Sequence, residues 1–306
     1  MYAIETSGLT KQYPSQLALD HLDLKVKKGE VYGFIGRNGA GKTTTINLIL
    51  SLIHATEGTV AINGDTVRFS DAAYKRQIGF VPDVPVFPNY MTAAQYVTYA
   101  CEMNGVPQAD IKQRVDDVLA FVDLPNNKKT IGGYSRGMKQ RLAIAQALVH
   151  DPNIIIMDEP TSALDPIGRK DVMNIILKLK GEKTIFYSTH ILDDVEKVCD
   201  RIGLLEKGKL VLEDSIEAIQ KHYYQNQMLI LTKEPKEEVF ELLQKKQVKN
   251  NIELTEQGVL CELHGETTAQ EILEILIAAK ITIIEFKKRN ASLEDVFVRV
   301  TNEETA

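Results

Sequence analysis

One segment of the chain has residue types that suit phosphate binding. Its members are Gly36, Arg37, Asn38, Gly39, Ala40, Gly41, Lys42 and Thr43. Backbone N–H groups must approach phosphate oxygens closely, and side chains at Gly39 or Gly41 would obstruct that approach. Lys42 supplies a positive charge for the outer phosphates, and the Thr43 hydroxyl can ligate Mg²⁺. The segment therefore predicts a nucleotide site, with an ordinary glycine turn as the alternative.

Two predicted elements flank this loop and position it. Residues 31–35 form an apolar run typical of a buried strand, and residues 44–53 have the pattern of a helix. A strand, a glycine-rich loop and a helix in this order aim the helix N-terminus at the phosphates. We therefore expect an α/β fold with the nucleotide at this loop.

Two carboxylates follow a second apolar run. Residues 154–157 are all apolar, which indicates a strand buried on both faces, as in parallel sheets. Asp158 and Glu159 follow at the carboxyl end, where open α/β sheets bind their ligands. Because buried charge without a partner is costly, a nearby metal or nucleotide explains both residues. We expect Asp158 to hold Mg²⁺ and Glu159 to orient and deprotonate the attacking water. Capping of the next helix is the alternative.

Three further polar residues stand at the ends of predicted elements. His190 follows a short apolar strand over residues 184–187, and we expect it beside the carboxylate strand, where it can donate to a γ-phosphate. Ser135 suits the N-cap of a helix predicted over residues 142–149, and such a cap is also an anion site. Asp165 precedes a proline, as helix caps do. Each of the three has a purely structural alternative.

An aromatic residue and an apolar loop complete the candidates. Tyr13 lies in a predicted loop and could stack on adenine, an interaction worth about 1–3 kcal/mol per base. A surface tyrosine packed against its own loop is the alternative. The proline-containing loop over residues 84–92 is either buried against its own domain or presented to a partner.

Composition restricts the function. The chain has 306 residues and a net charge of −6, which argues against a dedicated nucleic-acid binder. No apolar run approaches the roughly 18 residues that span a bilayer, and the N-terminus lacks a signal-peptide pattern, so we expect any membrane role to come through a partner. Cys101, Cys199 and Cys261 are far apart, and we expect reduced, packed thiols in a cytoplasmic protein.

The length favours two domains. We predict a nucleotide-binding domain over residues 1–214, in which helical patterns over about residues 92–150 form a subdomain, and a linker helix over 215–226. The remainder, 227–306, has the order β-α-β-β-α-β, which predicts a small ferredoxin-like α+β domain.

The predicted small domain carries two basic clusters. Lys245, Lys246 and Lys249 form one, and residues 287–289 form the other. These residues could contact lipid headgroups or nucleic acid, and a solvated face is the alternative. We hypothesise that this domain stabilises a dimer or regulates its closure.

In order and spacing, these segments resemble the nucleotide-binding subunits of ATP-binding-cassette (ABC) transporters. Residues 36–43 look like Walker A, 154–158 like Walker B with Glu159 as catalytic glutamate, 134–138 like the signature and 162–165 like the D-loop. His190 is similar to the switch histidine and Tyr13 to the adenine-stacking aromatic. The resemblance covers residues 1 to about 213. It implies a P-loop NTPase cassette with an N-terminal antiparallel β layer and an inserted helical subdomain.

The resemblance also implies Mg²⁺-dependent ATP hydrolysis with residues in three roles. The catalytic residues would be Glu159, His190 and Lys42. The ATP-binding residues would be Tyr13, Gly36, Arg37, Asn38, Gly39, Ala40, Gly41, Lys42, Thr43, Thr44, Ser135, Gly137 and Asp165. The metal-binding residues would be Thr43, Asp83 and Asp158.

The chain departs from the family pattern at two places. Arg136 and Met138 replace the glycine and glutamine of the usual signature, whereas Ser135 and Gly137 remain. Asp83 stands where the family usually has a glutamine that signals to the membrane subunit. Because Asp is shorter and charged, coupling through a water molecule is an alternative to direct contact with Mg²⁺.

The resemblance implies two kinds of partner. Two nucleotide-binding subunits, as a homodimer or pseudo-dimer, would hold each ATP between Walker A of one chain and the signature of the other. An integral membrane permease would receive the energy at the inner face of the cell membrane. Two segments most resemble the ATPase subunits of bacterial exporters of drugs, antibiotics and peptides. They are Tyr134 and Ser135 followed by residues 137–141, and the closing segment over residues 292–297. No nucleic-acid partner is expected.

Two other function classes remain as alternatives. A soluble cassette ATPase acting on ribosomes or nucleic acid is disfavoured because the chain has one phosphate-binding loop and no sustained heptads. A binding-only module is disfavoured by the presence of both Glu159 and His190.

Overall fold

The computed structural model describes residues 1–69, 73–223, 227–246, 252–263 and 269–289, together with residues 293, 294, 296 and 297. The chain divides into two compact units, Met1–Ile216 and Glu217–Ala306. None of the helices within these described ranges is both long and apolar enough to cross a lipid bilayer. All candidate residues for nucleotide chemistry lie in the first unit.

The first unit alternates strands and helices around two sheets. Its elements in chain order are β1 (Tyr2–Tyr13), β2 (Gln16–Lys27), β3 (Val31–Ile35), α1 (Lys42–Ile49), β4 (Glu57–Ile62), β5 (Asp65–Thr66), β6 (Ile78–Val81), α2 (Ala93–Met103), α3 (Gln108–Phe121), α4 (Arg136–Leu148), β7 (Ile154–Asp158), α5 (Pro166–Leu179), β8 (Thr184–Thr189), α6 (Leu192–Val198), β9 (Arg201–Glu206) and β10 (Lys209–Ser215).

The smaller sheet of this unit is antiparallel, with the order β2-β1-β4-β5. It confirms the predicted N-terminal antiparallel layer. The prediction that Tyr13 lies in a loop is wrong, because β1 continues to Tyr13 and pairs it with Gln16. Only Pro14 and Ser15 separate the two strands, and so short a connection holds both neighbouring residues in the ladder.

The larger sheet has six strands in the order β10-β9-β3-β8-β7-β6. β9, β3, β8, β7 and β6 run parallel, and β10 returns antiparallel to β9. Every residue of β3, β7 and β8 is buried, because helices and the smaller sheet cover the faces. The uninterrupted apolar runs in the sequence therefore correspond to the centre of a parallel sheet, as predicted.

Helices α2, α3 and α4 interrupt the α/β alternation, as predicted. Thr92 and Gln95 form a capping box that starts α2. The prediction that Ser135 caps α4 is confirmed, because its Oγ accepts a hydrogen bond from Met138 N–H at 3.2 Å. The helix begins at Arg136, directly after this cap, and not at residue 142. Polar residues and a glycine occupy the first turn, so the apolar pattern begins only at Leu142.

The second unit has its own small sheet. Its elements are α7 (Ile216–Tyr223, which begins at the last residue of the first unit), β11 (Gln227–Thr232), α8 (Lys236–Lys245), β12 (Ile252–Leu254), β13 (Val259–Glu262), α9 (Ala269–Ala278) and β14 (Ile283–Arg289). After α7 the order is β-α-β-β-α-β, and the sheet order is β12-β13-β11-β14 with antiparallel pairing throughout. The predicted ferredoxin-like pattern is confirmed. Ile230 packs with Val239 and Leu276 in the core between sheet and helices.

Two of the basic residues in the predicted clusters of the second unit have acidic neighbours. Lys245 is 77% exposed and lies 3.6 Å from Glu241, and Lys287 lies 2.8 Å from Glu285. These short-range ion pairs favour a solvated face. Lys249 of the first basic cluster lies outside the described residues, as do residues 292 and 295 of the closing segment.

Candidate functional site

The carboxyl ends of four neighbouring strands form the site. β3, β8, β7 and β6 lie side by side and parallel, so their carboxyl ends share one edge of the sheet. The glycine-rich loop follows β3, His190 follows β8, Glu159 follows β7, and Asp83 lies shortly after β6. Candidates spread over about 150 positions are thereby gathered at the place where α/β sheets bind ligands.

The glycine-rich loop has the backbone shape that its composition predicts. Gly41 has φ of 115° and is the N-cap of α1, and Gly39 has φ of 86°. A Cβ at Gly41 would lie 2.7 Å from the carbonyl oxygen of Ala18, and a Cβ at Gly36 would lie 2.6 Å from the carbonyl oxygen of Leu205. Only glycine fits Gly36 and Gly41 without a backbone shift.

The ammonium of Lys42 is buried inside this loop. It donates to the carbonyl oxygen of Gly36 at 2.7 Å and approaches that of Arg37 at 3.4 Å. It also lies 3.2 Å from Glu159 Oε1, and the two side chains are 6% and 12% exposed. The loop therefore holds one positive charge at its centre, next to the carboxylate of the neighbouring strand.

Thr43 and Asp158 form the second contact between loop and carboxylate strand. Thr43 Oγ1 donates to Asp158 Oδ2 at 3.0 Å. Burial raises the pKa of Asp158, whereas the hydroxyls of Thr43 and Ser188 act to lower it. Within the described residues, the buried Oδ1 has no partner at hydrogen-bond geometry. A hydroxyl and a buried carboxylate oxygen without a partner are hard oxygen ligands, which Mg²⁺ prefers. The residues present therefore fit a magnesium site.

Asp83 faces the same region from the loop after β6. Its Oδ1 accepts a hydrogen bond from Ser162 Oγ at 3.1 Å, and Ser162 Oγ also lies 3.1 Å from the carbonyl oxygen of Glu159. Asp83 is thus linked through one hydroxyl to the backbone of the carboxylate segment. Its expected contact with a metal stays a prediction.

Glu159 is held in an unusual conformation by three contacts. Its φ is 46°, a left-handed value that is uncommon for residues other than glycine. Its N–H donates to the carbonyl oxygen of Ser188 at 2.9 Å, and its Oε2 lies 2.8 Å from His190 Nδ1. Together with Lys42, these contacts fix the carboxylate at the sheet edge. A carboxylate placed in this way can accept a proton from water, and the imidazole can hold it in place.

A cleft of about 330 Å³ lies over the loop. Its lining contains predicted ATP-binding residues from two segments, Tyr13 and residues 37–44 other than Ala40, together with the predicted metal-binding Asp83 and catalytic Glu159. The lining residues are Tyr13, Gln16, Ala18, Arg37, Asn38, Gly39, Gly41, Lys42, Thr43, Thr44, Asp83 and Glu159. Tyr13 is 38% exposed, with the ammonium of Lys11 5.0 Å from its ring centre. Gln16 and Ala18 were not predicted, although the tight turn at Pro14 and Ser15 pairs Gln16 directly with Tyr13.

Two predicted residues of the glycine-rich loop, Gly36 and Ala40, are buried and lie behind the cleft rather than in its lining. Gly36 acts through its carbonyl oxygen, which accepts from Lys42. Ala40 is 5% exposed and belongs to the hydrophobic core. Both residues therefore support the conformation of the loop without lining the cleft.

Three predicted ATP-binding residues form a second cluster outside that lining. Ser135 caps α4, and Asp165 caps α5 by accepting from Gly168 N–H at 3.0 Å. A Cβ on Gly137 would lie 3.5 Å from Gly168 Cα, so the beginnings of these two helices are in close contact. Within one chain, Ser135, Gly137 and Asp165 thus lie together and not in the cleft.

The loop over residues 84–92 is partly buried against its own domain and partly exposed to solvent, so it combines the two alternatives left open by the sequence. Phe87 is buried, with its ring 4.9 Å from that of Tyr96 in an edge-to-face arrangement. Val86 is 85% exposed and Tyr90 80% exposed. Tyr90 and Tyr99 line an open groove of about 590 Å³ on α2. One aromatic residue anchors the loop while two apolar residues face outward.

Sequence comparisons match the two units to two families. The model of the family described as "ABC transporter" matches residues 19–162. The model described as "ATP-binding protein DrrA1-3-like, C-terminal domain" matches residues 215–301. The bacitracin transport ATP-binding protein of Bacillus licheniformis is 36% identical over 300 residues, covering 97% of this chain and 96% of that protein. The linearmycin resistance ATP-binding protein of Bacillus subtilis is 33% identical over 211 residues, covering 68% of each.

Structural comparisons match the first unit to solved cassettes. A dimeric bacterial ABC transporter cassette has a TM-score of 0.64 and 28% identity, covering 70% of this chain and 98% of that chain. A dimeric cassette in a post-hydrolysis state bound to ADP and Pi has a TM-score of 0.60 and 27% identity, with the same coverage.

Proposed function

Because the chain belongs to the ABC transporter family of ATP-binding proteins, we propose that it powers the export of an antibiotic or similar compound through a separately encoded permease. The chain is an ATPase of this family, and ATP is its substrate. The observation that carries the assignment is the meeting of Lys42, Glu159 and His190 at one sheet edge beside Asp158.

We assign the steps of hydrolysis to residues of this edge. Backbone N–H groups of the glycine-rich loop and the ammonium of Lys42 bind the β- and γ-phosphates. Glu159 orients the attacking water and accepts its proton, and His190 holds the carboxylate and donates toward the γ-phosphate. Thr43, Asp158 and Asp83 would hold Mg²⁺, which when bound neutralises charge on the phosphates. Fixed donors in a closed site supply most of the rate enhancement.

We propose that two copies of the cassette complete each site. Ser135, Gly137 and Asp165 form a cluster separate from the cleft, so a single chain presents two incomplete halves. A face-to-face dimer would bring the cluster of one chain to the γ-phosphate held by the other. The dimeric cassettes among the structural relatives support this arrangement.

We propose that the permease contacts the exposed apolar surface formed by Val86, Tyr90 and Tyr99. Solvent-exposed apolar clusters of this kind mark interaction sites. Val86 and Tyr90 lie on the loop that follows Asp83, and Tyr99 lies on α2. The contact of Asp83 with Ser162 leads to the backbone of Glu159. Binding of the permease at this loop can therefore change the position of the Glu159 carboxylate through Asp83 and Ser162. This partner would place the protein in the cytoplasm, on the inner face of the cell membrane.

For the second unit we propose an accessory role within the dimer. The domain limits proposed are residues 1–214 for the cassette, with its helical subdomain at about 92–150, then 215–226 for the linker and 227–306 for the accessory domain. The match of residues 215–301 to a domain of other ATP-binding proteins supports a separate unit. A chain ending at residue 216 should dimerise more weakly or hydrolyse ATP at a different rate. Unchanged dimerisation and hydrolysis would oppose this role.

The transporter function is tested by identifying the partner. Tagged Glu159→Gln protein is expressed in its native host, the membranes are solubilised in mild detergent with ATP and Mg²⁺, and the co-purifying proteins are identified by mass spectrometry. An integral membrane protein at near-equal stoichiometry is the expected result. Ribosomes or DNA without any membrane protein would favour the soluble ATPase instead. A Lys42→Ala variant, which loses its phosphate contact, is the control for nucleotide-dependent association.

A further inference from the structure

A buried carboxylate behind the catalytic edge has no part in the steps assigned above. Asp194 lies on α6, which begins two residues after His190, and it is 1% exposed. Its Oδ1 accepts from Arg169 Nε at 2.7 Å, and its Oδ2 accepts from Thr161 Oγ1 at 2.8 Å. The Tyr187 hydroxyl lies 3.3 Å from the same Oδ2 and 3.1 Å from Thr161 Oγ1. A carboxylate buried so completely is stable only because these partners satisfy it.

The partners of Asp194 come from the segments that carry the catalytic pair. Thr161 lies two residues after Glu159, and Tyr187 lies three residues before His190. Asp194 therefore joins the chain on the glutamate side to the strand on the histidine side. Arg169 adds α5, the helix that Asp165 caps. One charged group thus links both halves of the contact between Glu159 and His190, which is 2.8 Å long.

The backbone at Glu159 needs such support. Its left-handed φ of 46° is intrinsically unfavourable for this residue, and unusual backbone values persist only where surrounding contacts hold them. The contacts available on its C-terminal side are those of Thr161 and Ser162. Thr161 is 1% exposed and its hydroxyl donates to Asp194, so this contact holds the chain directly after Glu159 in place.

We propose that Asp194 is a positioning residue for ATP hydrolysis: through Thr161 and Tyr187 it sets the distance between Glu159 and His190. The proposal rests on the roles assigned to Glu159 and His190 above. A displacement of about 1 Å at a reacting group can lower a rate by about 100-fold, so loss of this link should reduce turnover without removing any group that touches ATP.

Thr161→Val is the test because it removes the hydroxyl that connects the glutamate side to Asp194 and to Tyr187. Asp194 keeps Arg169 and Tyr187 as partners, so its charge is not left unpaired. Thr6→Val is the matched control, since Thr6 is 2% exposed and donates one hydrogen bond of 2.8 Å to the carbonyl oxygen of Leu22 in the antiparallel sheet. Both substitutions remove one buried hydroxyl and keep the side-chain volume.

The full-length variants are compared by steady-state ATPase kinetics and thermal unfolding. We expect Thr161→Val to lower kcat about tenfold or more with KM for ATP changed less than about threefold, whereas Thr6→Val keeps wild-type kcat. Thr161→Ser, which retains the hydroxyl, should restore kcat. In a Glu159→Gln background, Thr161→Val should cause no further loss, because its effect passes through Glu159.

A folded Thr161→Val protein with wild-type kcat would overturn the proposal, as would an equal loss in Thr6→Val. If Thr161→Val does not fold, Tyr187→Phe decides, because it removes the hydroxyl that contacts both Asp194 and Thr161. Wild-type kcat in that variant contradicts the link. Absence of ATPase activity in the wild-type protein would instead refute the proposed function. The two failures are therefore distinguishable.

Discussion

Thr43 Oγ1 lies 3.0 Å from Asp158 Oδ2, although the two residues are 115 positions apart. The contact joins the helix after the glycine-rich loop to the end of the carboxylate strand. Both oxygens are ligands that suit Mg²⁺, and the other oxygen of Asp158 is buried without a hydrogen-bond partner in the described part of the chain. The contact therefore places two candidate ligands for one magnesium ion side by side.

Replacing Asp158 by asparagine should weaken metal binding. We expect the Mg²⁺ concentration for half-maximal ATPase activity to rise about 10–100-fold, because the amide lacks the charge that attracts the ion. EDTA should abolish activity of the wild-type protein. Activity measured over a series of Mg²⁺ concentrations is the readout. Asp110→Asn, at an exposed position of α3, is the control, and an unchanged Mg²⁺ curve for Asp158→Asn would contradict the assigned role.

Glu159→Gln should bind ATP but hydrolyse it about 10²–10⁴-fold more slowly, because the amide cannot accept the proton of the attacking water. ATP should then hold the protein as a closed dimer. Phosphate release and light scattering during size-exclusion chromatography with ATP measure both effects. Glu182→Gln, an exposed residue after α5, should behave as wild type. Normal turnover in Glu159→Gln would remove this residue from the mechanism.

Gly41→Ala should lower the affinity for ATP by at least about tenfold. The added Cβ would lie 2.7 Å from the carbonyl oxygen of Ala18. The alanine would also have to adopt the φ of 115° that Gly41 has, so the loop must change shape. Gly64→Ala is the control, because φ there is 93° but no atom lies within 4 Å of the added Cβ. That variant should lose only about 1–2 kcal/mol of stability. Titration with a fluorescent ATP analogue separates the two outcomes.

Replacing both Val86 and Tyr90 by serine should weaken the association with the permease. These side chains are 85% and 80% exposed, so ATP hydrolysis and thermal stability of the isolated protein should stay at wild-type values. Co-purification from detergent-solubilised membranes is the measurement. Leu177→Ser, a 46% exposed apolar residue on α5, tests whether any loss of surface apolar area has the same effect. Equal recovery of the permease with the double variant and with wild type would move the contact surface elsewhere.

The thiol of Cys199 should resist alkylation until the protein unfolds. Burial raises the pKa of Cys199 above its ordinary value of 9.0, so the folded state disfavours the reactive thiolate. Because only the unfolded state deprotonates readily, this residue contributes stability below the ordinary pKa that is lost as pH rises above it. Iodoacetamide at pH 8 with and without urea, followed by mass spectrometry, measures the protection. Rapid labelling of the folded protein would contradict the burial.

Much of the fold was predictable because the apolar patterns are strong. The uninterrupted apolar runs predicted over residues 31–35 and 154–157 correspond to β3 (Val31–Ile35) and β7 (Ile154–Asp158) at the centre of the parallel sheet. The cap of α4 at Ser135 was predicted, but residues 136–141 were left out of the helix because its first turn is polar. The end of β1 was missed because a proline follows Tyr13. Where local residue types disagree with the helix or strand pattern, the sequence signal is lost.

Only part of the site could be predicted from the sequence. The glycine-rich loop and the carboxylate pair are local patterns, so their chemistry is visible in short segments. The link from Asp194 to Thr161 and Arg169 joins residues from separate segments, and an aspartate on a helix gives no signal that it is buried. The roles of Ser135, Gly137 and Asp165 stay predictions, because within one chain these residues lie outside the lining of the cleft.

The contact between Lys42 Nζ and Glu159 Oε1, 3.2 Å long, means that the buried cation of the loop is already balanced by a carboxylate. An anion that approaches Lys42 therefore also approaches the negative charge of Glu159. Repulsion between these two anions offsets part of the electrostatic gain from Lys42. The site therefore favours an anion that makes further contacts with the loop, as a nucleotide triphosphate can, over a small free anion.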